Sequence, residues 1–230
     1  MTQTITKLFD THEDASDAVA ELERAGVRHD SISLVSNNAD GRHGDNDTAE
    51  GAAKGATTGG LIGGGAGLLA GLGMLAIPGL GPVVAAGWLA STAVGALVGA
   101  AAGGATGGLL GALKDAGHSD EETNVYAEGV RRGGSLVSVK SDRPDEIATA
   151  QSVLNSRGVD AAQRGALYRE SGWSRFDETA QPYSAAEIAA ERRRYGESRS
   201  FADREDRDLT ADDRAASADG RPIDPTLRSL

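Results

Sequence analysis

The sequence predicts an α+β fold: a split βαβ, ferredoxin-like sandwich, interrupted by a glycine-rich apolar helical hairpin and followed by a mostly disordered tail. Three observations predict it. Strand and helix patterns alternate at both ends of residues 1–164, no charged residue occurs between Lys54 and Lys114, and residues 165–230 hold 11 Arg and no Lys among many acids.

Residues 1–36 form the first βαβ half. Ile5, Lys7 and Phe9 alternate with Thr4, Thr6 and Leu8, a short strand pattern. Thr11 is placed to cap a helix, with Asp14 three residues on. Ala15, Val19, Leu22 and Ala25 recur at helical spacing, and Gly26 stops the helix. Residues 31–36 give the second strand, and residues 37–50 are a polar linker rich in Gly, Asn and Asp. The second half spans residues 114–164. Ser119 and Glu122 make a capping box for a helix ending near Arg132. Residues 135–140 alternate as a strand. Asp142, Pro144, Asp145 and Glu146 open another helix, with Ile147, Ala150, Val153 and Leu154 as its stripe. Residues 159–164 supply a last, short strand. Such a sandwich accepts an insertion whose two ends return to one place, as a helical hairpin does.

Residues 51–113 are read as that hairpin. Gly55, Gly59, Gly63, Gly67 and Gly71 recur at every fourth position; Gly87, Ser91, Gly95, Gly99, Gly103, Gly107 and Gly111 repeat the spacing. On helices these positions form grooves that let two backbones approach closely, as at helix interfaces in bilayers. Pro78, Gly79, Gly81 and Pro82 break the helix between the arms. Each Gly costs a water-exposed helix about 1 kcal/mol relative to Ala, whereas in a bilayer an unsatisfied backbone group costs several. The expectation is a hairpin that packs on itself and enters a membrane. The richest apolar stretches, residues 61–77 and 83–98, are roughly 25 Å long as helices, short of the ~30 Å hydrocarbon core, and Trp88 is the insert's only interfacial aromatic.

The tail, residues 165–230, carries Trp173, Phe176 and Tyr183 as contacts for a protein partner, and Ser184 with Glu187 as the cap of one helix over 184–195. Beyond it the composition is that of a disordered segment.

Composition narrows the chemistry. A net charge of −11 disfavours nucleic acid, which requires a basic face. Without cysteine there are no disulfides and no thiolate ligands. His12, His29, His43 and His118 have no metal-ligand spacing and read as surface residues. Arg131 and Arg132 read as charges complementing a helix dipole. No phosphate loop or nucleophile elbow occurs. No catalytic residue, cofactor or metal is expected. The N-terminus lacks a signal-peptide pattern, so the chain is expected to start in the cytoplasm.

The strand at 5–9, the helix end Glu23-Arg24-Ala25-Gly26-Val27, the strand Ile32-Ser33-Leu34-Val35 and the segment from Tyr126 to Val139 resemble the bacterial general stress protein 17M-like (heat-induced stress protein) domain, in versions carrying a Gly-rich insert. The resemblance covers roughly residues 3–163. It implies a bacterial, stress-associated, non-enzymatic protein with no active site to carry over; with the apolar insert, the expected location is the cytoplasmic face of a bacterial inner membrane, with the cytoplasm as the alternative. Expected partners are membrane lipid, further copies of the chain, and a protein that binds the tail. The alternative is a soluble regulatory or protein-binding module that oligomerises through the zipper and a sheet edge.

Overall fold

The computed structural model describes residues 2–41, 73–92 and 108–194. The chain divides into two compact units, Met1–Ala189 and Ala190–Leu230. In the second, residues 190–194 are helical and Arg194 pairs with Glu191 at 3.2 Å. Most of the expected linker, the zipper positions Gly55, Gly59, Gly63, Gly67, Gly71, Gly95, Gly99, Gly103 and Gly107, His43, and the tail beyond 194 lie outside the described residues.

The first unit is a mixed α/β structure. Its elements run β1 (Gln3–Phe9), α1 (His12–Arg24), β2 (Ile32–Asn37), β3 (Gly73–Ile77), β4 (Gly81–Ala86), α2 (Leu109–Asp115), α3 (Asp120–Arg131), β5 (Ser135–Ser141), α4 (Pro144–Arg157) and α5 (Ala161–Glu170). Short helical stretches occupy 88–92 and 185–189. The helix starts follow the expected caps. Thr11 Oγ1 accepts from the Asp14 amide at 3.0 Å. Ser119 and Glu122 make a reciprocal box at 3.2 and 3.1 Å, which satisfies amides that the first helical turn leaves orphaned.

The five strands form one antiparallel sheet in the order β1-β5-β2-β4-β3. Two copies of the tetrapeptide Ser-Leu-Val-Ser set the central register. Ser33 opposes Ser138, Leu34 opposes Val137, Val35 opposes Leu136, and Ser36 opposes Ser135. Antiparallel pairing of this pattern places a serine pair at each end. Alternation along each strand then separates two faces. One face buries Ile32, Leu34, Val137 and Val139 beneath Ala18, Val19 and Leu22 of α1 and Ala150, Val153 and Leu154 of α4. The other buries Leu8, Val35, Val83 and Leu136 beneath α2, α3, Leu89 and Phe176.

Two expectations are corrected. Residues 73–86 are a β-hairpin added to the sheet, not parts of two helical arms. Leu80 N–H donates to Ile77 O at 3.1 Å. Pro78 is second in that turn and Gly79, at φ +74°, third, the residue types a type II turn requires. Beyond it, the β-branched Val83 and Val84 suit a strand buried on both faces. Pro82 precedes the first β4–β2 pair, Asn37 with Val83, so its missing N–H does not interrupt that ladder. Gly87 is no helix-groove residue either: a Cβ there would collide with Ile32 O where the chain leaves β4 beside β2. A four-residue repeat is also an even one, so it marks one face of a strand as well as one flank of a helix; the period alone could not separate them. The second correction is at 159–164. Val159 makes a single bridge to Leu8, and the chain then turns into α5 because Asp160 caps it, accepting from the Gln163 amide at 3.0 Å.

Candidate association surface

The β3 edge is built from Gly-Met-Leu-Ala-Ile. It pairs only with β4 among the described residues. Met74 is 50% exposed and Ala76 is exposed, while Leu75 and Ile77 turn toward the core. Edge strands are ordinarily blunted by a charge, a proline or a bulge, because their free N–H and C=O groups template pairing with another chain. Residues 73–77 carry no charge and no proline. The opposite edge differs: β1 carries Lys7, and Gly158 packs on that side chain.

Beside the hairpin turn runs a strap, residues 171–188, which the sequence presented as a polar tail. Trp173 packs edge-on against Tyr168, with ring centroids 5.6 Å apart. Phe176 is 4% exposed and enters the core with Leu80 and Tyr126; its amide donates to Asn124 Oδ1 at 3.0 Å. Arg131 Nη2 donates to Gln181 O at 3.0 Å. The Arg131 guanidinium also covers the Tyr183 ring at 4.9 Å, a cation–π contact. Ser184 and Glu187 form the expected capping box, and Ile188 is buried against Gly133. Burial of Phe176 and Ile188 contributes about 1.5–3 kcal/mol each.

Two expected sites thus become one. The sequence marks Pro78, Gly79, Gly81 and Pro82 as a turn, and Trp173, Phe176 and Tyr183 as contacts for another protein. A Cβ on Gly79 would stand 2.8 Å from Glu178 Cα, and one on Gly81 2.8 Å from Pro182 Cβ. The turn is therefore a seat for the strap; Phe176 is buried in the chain's own domain, while Trp173 and Tyr183 pack on it and stay partly exposed. Ser91 ties its hydroxyl to Gly87 O at 3.1 Å, and Gly111 lies within α2. Trp88 lies in the domain at the end of β4, with Lys140 Nζ 5.0 Å above its ring.

Buried polar groups sit around this surface. Glu128, wholly buried on α3, receives Arg132 Nε at 2.6 Å and Arg131 Nη1 at 3.3 Å, so these arginines balance a buried carboxylate rather than merely a helix dipole. Arg164 pairs with Asp10 at 2.7 Å. Burial pushes the Tyr168 hydroxyl up to about 12. At the far end of the sheet, Glu146 accepts from Ser31 at 3.0 Å, Ser141 at 2.6 Å and Arg28 at 3.1 Å. Burial opposes its charge, but those donors outweigh burial and hold the carboxyl below its ordinary range.

A row of hydroxyls crosses the sheet, Thr6 opposite Ser138 opposite Ser33, all buried. His118 Nε2 bonds Thr6 Oγ1 at 2.7 Å, and Tyr126 Oη donates to Thr6 O at 3.0 Å. Burial lowers the His118 pKa, with Glu122 pulling the other way. His12 Nδ1 likewise reaches the buried Ser36 hydroxyl at 2.9 Å. These two histidines were expected at the surface and are instead partly buried; His29 is exposed as expected. The signal for the row was the serine at matching ends of the repeated tetrapeptide, which only pairing makes legible.

Among the described residues, no group of three or more His, Cys, Asp or Glu could hold a metal ion, and no helix is long and apolar enough to cross a membrane. No family model matches the chain, and no curated protein or solved structure matches it either.

Proposed function

We propose that this chain is a non-enzymatic, stress-associated association module, in which the α/β domain holds a charge-free insert at its sheet edge and joins further copies through β3 and that insert. The single observation that carries this reading is the unblunted β3 edge, continuous in sequence with the uncharged residues on either side of the hairpin. An exposed apolar edge is selected against in a solitary chain and is the usual means by which sheets add a strand from a partner. The stress-associated part rests on the family resemblance of residues 3–163. The arrangement of β1, α1, β2, β5 and α4 supports a ferredoxin-like reading, with its fourth strand shortened to the Val159 bridge and two strands added at the other edge. On this reading the protein works in the cytoplasm.

The test is the oligomeric state of the full chain, by light scattering, with Ala76→Lys as the probe. Ala76 is exposed, so lysine there charges the edge without entering the core. Wild type is expected to be a concentration-dependent oligomer that Ala76→Lys shifts toward the monomer. A wild type that stays monomeric, or an oligomer indifferent to the charge, sinks the proposal.

A second reading keeps the insert as a membrane device on the cytoplasmic face of a bacterial inner membrane. The uncharged run between Lys54 and Lys114 favours it. The hairpin at 73–86 belongs to the sheet, so a deletion confined to residues 55–71 is the appropriate probe. If the full chain fails to float with phospholipid vesicles, this reading fails; flotation that the deletion abolishes supports it.

A further inference from the structure

Three glycines from two separate elements leave three adjoining seats, and the strap fills each with a different residue. Gly79 admits the backbone of Asp177 and Glu178, Gly81 admits Pro182, and Gly133 admits Ile188. Any side chain at these positions would meet the strap. The groove is thus shaped to one particular segment. We propose that it is a recognition site for residues 171–188 that takes this segment from a second copy of the chain as well as from its own.

The way the strap is held makes exchange feasible. Its amides form no ladder with the sheet; Ala180 N–H returns to Asp177 O and Ile188 N–H to Ser184 O, both inside the strap. Two buried side chains, Phe176 and Ile188, anchor it; Trp173 packs on Tyr168, Arg131 covers the Tyr183 ring, and Arg131 and Asn124 each take part in one hydrogen bond. Most residues between the anchors are exposed. At its root lies Gly172, φ +84°, around which a Cβ would meet nothing within 4 Å. Opening there breaks two backbone bonds at the end of α5, Gly172 N–H to Arg169 O at 2.9 Å and Trp173 N–H to Tyr168 O at 3.1 Å, and displaces no atom packed beside the glycine's Cα. A strap arriving from a second copy fills the same three seats and makes the same hydrogen bonds as the chain's own. Exchange of an identical element between protomers carries little penalty under that condition. The strap and its seats carry this inference independently of the β3 edge.

The chain has no cysteine, so single cysteines report cleanly. Full-length Asn124→Cys places a thiol in the groove, and full-length Arg175→Cys places one on the strap, next to Phe176. The two variants are mixed at high protein concentration and treated with a short thiol cross-linker. The expected result is covalent dimer that accumulates with mixing time well above either variant alone. An excess of synthetic peptide spanning residues 171–189 should suppress it at least tenfold, and the same peptide with Phe176→Ala and Ile188→Ala should not. Dimer no greater than in the unmixed samples, or insensitive to the wild-type peptide, overturns the proposal. Repeating the mixture with Ala76→Lys in both variants separates the two associations: strap exchange persists when the β3 edge is blocked.

Discussion

The two faces of the sheet are assembled in different ways. The face under α1 and α4 is covered by helices adjacent in sequence to the strands they cover, and the packing among Val19, Leu22, Leu34, Val137 and Leu154 is apolar. The face under α3 is assembled from distant pieces: the hairpin, the 88–92 helical stretch, α2 and the strap. It is also partly polar, with the hydroxyl row beside the leucines. The first face is closed by neighbouring elements; the second is where Leu80, Leu89, α2 and Phe176 of the strap attach.

The largest contrast should appear on truncating one anchor from each face. Leu22→Ala opens a cavity in a core with no detachable part and should cost about 2–5 kcal/mol of global stability. Phe176→Ala should cost less, about 1.5–3 kcal/mol, because the strap can lift away instead of leaving a void. Denaturant melts give both values. Equal losses would mean the strap is as integral as α1, and the contrast between the faces would fall. A smaller effect is expected from Ser119→Ala, about 1 kcal/mol, since it removes one cap of the helix carrying Glu128.

The faces should also differ in their response to acid. The unfolded chain protonates His118 near its ordinary 6.5, while burial makes the folded chain resist. The folded state therefore binds fewer protons, and the associated stability, complete above about 6.5, declines as pH falls from there toward the lowered value. Glu146, held below its ordinary 4.5, contributes stability above that value and loses it as pH falls through the folded one. Thermal melts against pH should show both windows in wild type. His118→Gln should flatten the first alone and Glu146→Gln the second alone; a profile unchanged by His118→Gln would show that the histidine carries none of this dependence.

What could be read from the residues was local. The caps at Thr11, Ser119 and Ser184, the apolar stripes of α1 and α4, and the strands at 5–9, 31–36 and 135–140 needed only neighbours along the chain. The hairpin at 73–86 is hidden by its even period, which suits strand and helix alike, although Ile-Pro-Gly-Leu carries the turn signature and Val83-Val84 the strand preference. Helix α5 has its cap in Asp160, which outweighs the short strand pattern at 159–164. Phe176 and Ile188 stand in polar surroundings; only a groove made by glycines far away in sequence gives them a core. Glu128, by contrast, lay three and four residues from two arginines, a spacing that announces an ion pair but not its burial.

Whether β3 is an associating edge is tested most directly by amide hydrogen exchange on the full chain, measured at low and high protein concentration. Amides of residues 73–77 are expected to gain protection as concentration rises and to lose that gain in Ala76→Lys, while those of β5 do not change. Protection across 73–77 that is independent of concentration, and the same in Ala76→Lys, would contradict an associating β3.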